Sequence, residues 1–255
     1  MRVGMGLKAF GLSVAMAAWS TGGVAQPDTQ PPPHQDPRAG YAALAQLPDW
    51  SGVWSPDWSM TAKNRSKEPQ FTQAAAQTSQ AFKAAQERGE NLQGEVANCL
   101  PPGMPGIMSQ PYPIEFLFRP GAVYLITETY SQVRRIYTDG RPLPEDPDPF
   151  FNGHSVGWWE NDTLVVETTG INPRNVIVPG IHATEQTRIR ETFRSDAPGK
   201  LTVETSITDP TLFVEPFVTQ ASFARNDGWE MREYVCAENN KDGADEFGRP
   251  TMNLD

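Results

Sequence analysis

The chain has 255 residues and a formal net charge of −10, with two cysteines, three histidines, 24 prolines and 10% aromatic residues. The acidic balance repels nucleic acid and anionic lipid surfaces, and no basic stripe offsets it, so neither is expected as a partner. The length suits one β-barrel or sandwich domain with a sizeable core.

The first residues carry two charges, Arg2 and Lys8, both positive, followed by an apolar run from Ala9 to Trp19 and small residues up to Gly23-Val24-Ala25. This pattern predicts a signal peptide, residues 1–25, cleaved before Gln26. The run is too short for a stable membrane anchor. No twin-arginine pair precedes it, so export is expected in the unfolded state. That disfavours a cofactor loaded in the cytoplasm, and none is expected. Cleavage would leave 230 residues and, by removing two positive charges, move the net charge from −10 to −12. The expected destination is the periplasm or the exterior.

Residues 26–46 are Pro-rich and polar at first and are expected to form a disordered leader; His34 falls there. The folded domain is expected over 47–241, with a tail at 242–255. It opens at Leu47-Pro48-Asp49-Trp50-Ser51-Gly52-Val53-Trp54, which reads as a first strand. Residues 69–88 predict a surface helix. Pro69 suits its first position, six alanines favour it, Phe71, Ala75, Thr78 and Phe82 share a face, and Gly89 stops it.

From Tyr112 onward strand signals dominate, at about 112–119, 121–130, 132–138, 154–160, 163–170, 186–194, 200–208, 212–224 and 228–236. Short turns such as Arg119-Pro120-Gly121, Glu160-Asn161-Asp162 and Ala197-Pro198-Gly199 separate many of them. The expected fold is all-β: an antiparallel meander of about eight to ten strands closing into a barrel, because closure removes exposed edges. A β-sandwich is the alternative. In the hairpin 154–170 a turn at Asn161-Asp162 pairs Glu160 with Thr163, Trp158 with Val165 and His154 with Thr169. One face then carries His154, Val156, Trp158, Val165 and Glu167. The other carries Ser155, Gly157, Trp159, Leu164 and Val166. Both are largely apolar, so the pattern alone does not choose the inner one.

Cys99 and Cys236 form an even pair. In an oxidising compartment they are expected to be bridged, tying the segment after the helix to the last strand; the alternative is two separate buried thiols.

No nucleophile elbow, phosphate loop, dinucleotide fingerprint or zinc-protease motif is present. Two histidines in the folded region are too few for an ordinary structural zinc site, and no metal is expected. The acidic stretch Glu145-Asp146-Pro147-Asp148-Pro149 offers oxygen ligands for calcium or simply a solvated loop. The remaining chemistry is a set of polar residues on apolar strands. Proton transfer near neutral pH points to His154 and His182, with Glu185 as orienting partner, Arg134 as substrate anchor and Tyr137 as a second donor. Glu128, Tyr130, Arg135 and Trp159 are candidate substrate-binding residues. The same sequence is also expected if these side chains alternate outward and merely solvate the sheet.

Three functions are open. One is an exported, cofactor-independent lyase, hydratase or isomerase acting on a small organic substrate. The second is a non-catalytic barrel carrying an apolar or aromatic ligand. The third, a structural envelope protein, would show a filled barrel with no cavity.

Several segments carry a resemblance: Pro111-Tyr112-Pro113-Ile114-Glu115-Phe116, Arg134-Arg135-Ile136-Tyr137-Thr138-Asp139-Gly140-Arg141, the run from Gly153 through Trp158-Trp159-Glu160-Asn161-Asp162 to Thr168, and Glu233-Tyr234-Val235-Cys236. Over about residues 48–241 the chain resembles a large group of secreted bacterial proteins that has no activity to carry across. That group often has Arg at the position of Trp158, which implies Trp158 outward and Trp159 inward. Gly52-Val53-Trp54 is similar to the start of the first strand in lipocalins and other calycins.

Overall fold

The computed structural model describes residues 37–63, 68–90 and 99–236, all within one compact unit, Asp36–Asp255. The expected signal peptide, the leader up to residue 36 and the tail 242–255 lie outside the described residues.

Nine strands close into a barrel in the order β1-β11-β10-β9-β6-β5-β4-β3-β2. They are β1 (Val53–Pro56), β2 (Ile114–Arg119), β3 (Ala122–Thr127), β4 (Gln132–Tyr137), β5 (His154–Glu160), β6 (Thr163–Thr169), β9 (Arg188–Ala197), β10 (Lys200–Thr208) and β11 (Phe217–Arg225). A separate two-stranded ribbon, β7 (Val176–Val178) with β8 (Ile181–His182), interrupts the path from β6 to β9. The hairpin register is as the turn chemistry requires: Glu160 opposes Thr163, Trp158 opposes Val165 and His154 opposes Thr169. Asn161 takes the left-handed conformation (φ 55°) that this turn needs. Ser155, Leu164 and Val166 are buried and Trp158 is 37% exposed, so the second face lines the interior.

Two features depart from an antiparallel meander. First, β4 and β5 pair in parallel, Ile136 with Ser155 and Tyr137 with Val156. A parallel neighbour needs a long crossover, and the Pro-rich segment 138–153 supplies one. Second, residues 228–236, expected as a strand, form none. That segment is held across the barrel end instead, by the Arg232 N–H donating to Glu128 at 2.9 Å and by the Cys99–Cys236 disulfide.

The helix after Pro69 runs from Gln73 to Glu87 (α3), later than expected. Phe71 is held in a β-bridge with Phe213, and the Thr72 hydroxyl caps the helix by accepting the Ala75 N–H at 3.3 Å. Only Ala75 and Ser79 of α3 are buried, as a surface helix requires. Residues 37–44, expected within the disordered leader, form helix α1 instead. Proline suits the first helical position, and Ala39, Ala42 and Ala43 favour the turns that follow. Helix α2 (Trp58–Lys63) follows β1.

Side chains fill the barrel. At one end Trp50, Phe116, Phe118, Trp159 and Phe193 pack in tilted and edge-to-face contacts, with the Trp50 centroid 5.2–6.4 Å from the other four rings. Trp54 is fully buried; its indole N–H donates to the Trp50 carbonyl at 3.0 Å, and the Arg225 guanidinium lies 5.1 Å from its ring.

Toward the other end Asp209, 2% exposed, ties β9 to β10. Its carboxylate accepts the hydroxyls of Thr184, Thr187 and Thr211 at 2.6, 2.7 and 2.6 Å. Burial acts to raise its pKa, but these donors outweigh burial and hold it below the ordinary 3.8. A depressed folded pKa means stability that is present above the unfolded value and lost as pH falls through the folded one. Asp209→Ala is therefore expected to cost about 2 kcal/mol at neutral pH. Urea unfolding of both proteins should show that gap narrowing below about pH 4; a gap unchanged in acid would refute the role of its charge.

Candidate functional site

Strand alternation decides where the sequence-expected residues point. On β4, Arg134 faces inward and is 1% exposed, whereas Arg135 faces out and lies 6.0 Å from the outward Tyr124 ring. Arg134 is consumed in the barrel interior. It donates to both oxygens of the fully buried Glu191, to Ser155 Oγ at 3.2 Å and to Thr168 Oγ1 at 2.9 Å. Tyr137 faces outward, with the Arg141 guanidinium stacked 3.8 Å from its ring.

The histidines do not join Arg134. His154 sits on the outward face of β5, stacked on Phe150 at 4.6 Å, with Nε2 2.8 Å from the Asp148 carbonyl oxygen. That contact uses the acidic loop's backbone; the loop's carboxylates are exposed. His182, itself exposed, opposes Val176 on the ribbon, and Glu185 is exposed with its carbonyl accepting from Arg188. Trp159 belongs to the aromatic cluster at the barrel end. Thus the expected acid–base set is dispersed over both faces of the wall, and the expected anchor is locked in an ion pair. Among the described residues no group of three or more His, Cys, Asp or Glu side chains could hold a metal ion.

Glu128 and Tyr130 lead elsewhere. β3 ends in the short 3₁₀ turn Thr129–Ser131 (η2), where Tyr130 and Ser131 are left-handed, with φ of 54° and 48°. This uncommon backbone, costing on the order of 1 kcal/mol per residue, turns the Tyr130 ring toward the chain's last described segment. Glu128, 8% exposed, accepts the Arg232 N–H at 2.9 Å and the Trp229 indole N–H at 3.5 Å. Those bonds lay segment 226–236 over this end of the barrel. The Cys99–Cys236 disulfide fixes it, with a Cα–Cα distance of 5.7 Å and Cys236 Sγ 3.7 Å from Tyr130 Oη.

The result is a tyrosine triad. Tyr234 lies 4.9 Å from Tyr130 and 5.3 Å from Tyr112, centroid to centroid. Burial, then the neighbouring Tyr234 and Glu128, raise Tyr112 above its ordinary pKa; burial, then Tyr130, raise Tyr234. Both phenols therefore stay protonated at physiological pH and remain hydrogen-bond donors.

The triad lines a pocket of about 550 Å³, with Phe151, Arg174, the β7 residues and Pro101, Pro102, Pro111 and Pro179 forming other walls. Segment 99–112 is held in place by backbone bonds. The Met104 N–H donates to the Phe151 carbonyl at 2.8 Å, and the Asn175 amide donates to the Met104 and Phe151 carbonyls at 2.8 and 2.6 Å. Gly103 is required here. Its φ is +56°, and a Cβ would fall 2.3 Å from the Phe151 oxygen. A second recess of about 240 Å³ adjoins, lined by residues of the 3₁₀ turn Gly106–Ser109 (η1), by Thr205 and Ile207 of β10, by Thr219–Phe223 of β11, and by Pro56 and Trp58.

Of the sequence-expected residues only Tyr130 lines the tyrosine pocket, with Glu128 close behind. Tyr112, Phe151, Arg174 and Tyr234 were not anticipated. One signal pointed to them: a bridge to Cys236 brings Tyr234, two residues earlier, to the segment following Cys99.

Fold and site together define a disulfide-bonded, closed mixed β-barrel with an aromatic pocket at its rim. No protein-family model and no curated protein matches the chain.

Proposed function

We propose that the protein is an exported, non-catalytic small-molecule-binding barrel whose ligand, apolar or aromatic with a negative group, occupies the tyrosine pocket. The observation that carries this is the lining of that pocket. Its volume lies in the range of small-molecule sites. Its walls are aromatic and apolar, its phenols donate, and its one charged residue, Arg174, makes no ion pair among the described residues. The disulfide and the N-terminal charge pattern support export. The acid–base reading has less support, because neither His154 nor His182 lines either pocket or meets Arg134.

Titration with 1-anilinonaphthalene-8-sulfonate, an aromatic anion, tests the reading. Saturable one-to-one binding is expected, monitored by probe fluorescence and calorimetry. Arg174 is exposed, so Arg174→Gln should fold normally and weaken binding by about tenfold to a hundredfold, the worth of a charge-assisted hydrogen bond. Unsaturable binding, or equal affinity in the variant, would remove the basis for this function.

A further inference from the structure

The tyrosine pocket and the adjoining recess share three lining residues, Gly106, Ser109 and Ile177. They are therefore two chambers on either side of one partition, the turn η1 facing β7. Their charge differs. The tyrosine pocket carries the guanidinium and the phenols. The recess has no charged side chain; Trp58, Ile207 and Phe223 line it beside the neutral polar Thr219, Gln220 and Ser222.

The recess exists because the barrel wall is incomplete there. β1 stops at Pro56, which lacks an N–H for the ladder, and the chain departs after the Asp57 N–H donates to the Ser222 carbonyl at 2.7 Å. Among the described residues, β11 from Phe217 to Gln220 pairs with β10 on one side and with no strand on the other. The opening leads inward to Thr205, Ile207 and Thr219.

We infer that the two chambers form one site for an elongated anionic amphiphile. Its head is held by Arg174 and the tyrosine phenols, and its alkyl chain passes Gly106 into the recess. This rests on the binding reading above and adds the ligand's class and orientation. Charge sets the polarity: Arg174 is the sole charged residue lining either chamber, so the anionic end belongs on its side. Gly106 lines both chambers, so the chain runs along it from one to the other.

The test is displacement of the fluorescent probe by octanoate, decanoate, dodecanoate and tetradecanoate below micelle formation, with 4-hydroxybenzoate as a short anion that fits the tyrosine pocket alone. Affinity should rise with chain length by up to about fourfold per added methylene, as buried CH₂ groups do, until the recess is full. Thr219 lines the recess and not the tyrosine pocket, so Thr219→Trp fills the recess and leaves Arg174 and the phenols in place. That variant should lose the chain-length dependence and keep 4-hydroxybenzoate affinity. Ala221→Phe, two residues along on the same face of β11, is expected to behave alike and stands in should Thr219→Trp fold poorly. If 4-hydroxybenzoate binds through Arg174 but affinity is flat along the series, or rises equally in both variants, the two-chamber site is overturned while the binding function stands. If no anion binds at all, both fall together.

Discussion

Glu191→Leu should destabilise the barrel by about 3–5 kcal/mol, because it leaves the Arg134 guanidinium buried without its counter-charge. Arg134 and Glu191 are 1% and 0% exposed, so water cannot replace the missing partner. Arg134→Met should cost a similar amount, by stranding the carboxylate instead. The informative variant is the pair. With Arg134→Met and Glu191→Leu together, no charge is buried and apolar contacts fill the space, so the loss should be far smaller than the sum of the singles. Ser155 and Thr168 still satisfy each other, since their hydroxyl oxygens lie 2.9 Å apart. Urea denaturation of the four proteins gives the coupling energy directly. Single variants each costing less than about 1 kcal/mol would show the pair to be hydrated in solution, contrary to the packing. The interior network joins β4, β5, β6 and β9 inside the barrel.

Why the fold was largely legible follows from the same strands. Hairpin 154–169 could be registered to the residue because a two-residue turn fixes which side chains oppose, and opposed residues share a face. The inner face remained open from the pattern because both faces are apolar. The implied outward Trp158 matches the structure, where that indole packs 5.2 Å from the Arg190 guanidinium and donates to Glu160 at 2.8 Å. The parallel β4–β5 pair was not legible: segment 138–153 carries prolines and charges that fix no strand direction. Nor was the fate of 228–236, whose composition suits a strand but which Glu128 and the disulfide hold across the barrel end.

The site was less legible, for a physical reason. Its residues come from segments 100–112, 129–130, 151, 174–179 and 234, in loops, 3₁₀ turns and the three-residue strand β7, all too short for a period that sequence patterns report. Reading polar residues on strands as site candidates selected Arg134, Arg135, Tyr137 and His154, whose orientations are set by alternation in the wall. Loops at the rim, positioned by a glycine at φ +56° and a tyrosine at φ 54°, assemble the pocket. Only the cysteine pair linked two of those segments in advance.

That pair gives the remaining large effect. Replacing Cys99 and Cys236 together with alanine should cost several kcal/mol. Cross-linking residues 137 apart removes chain entropy from the unfolded state worth ~5 kcal/mol, with measured losses commonly 2–5 kcal/mol. The second consequence is local. Segment 226–236 has no strand pairing; it is held by the bridge, by the Asn226 N–H to the Val53 carbonyl at 2.7 Å and by two bonds to Glu128. Without the bridge its end should open under conditions where the barrel is still folded, taking Tyr234 out of the pocket. The expected order on titrating urea into the oxidised and the cysteine-free proteins is therefore specific. In the cysteine-free protein, anionic-probe binding and the near-ultraviolet dichroism of the tyrosines are lost at lower urea than the far-ultraviolet strand signal. In the oxidised protein all three are lost together. Coincident transitions in both, or a stability difference under about 1 kcal/mol, would show that the tail is held by its hydrogen bonds alone and that the bridge is incidental to the site.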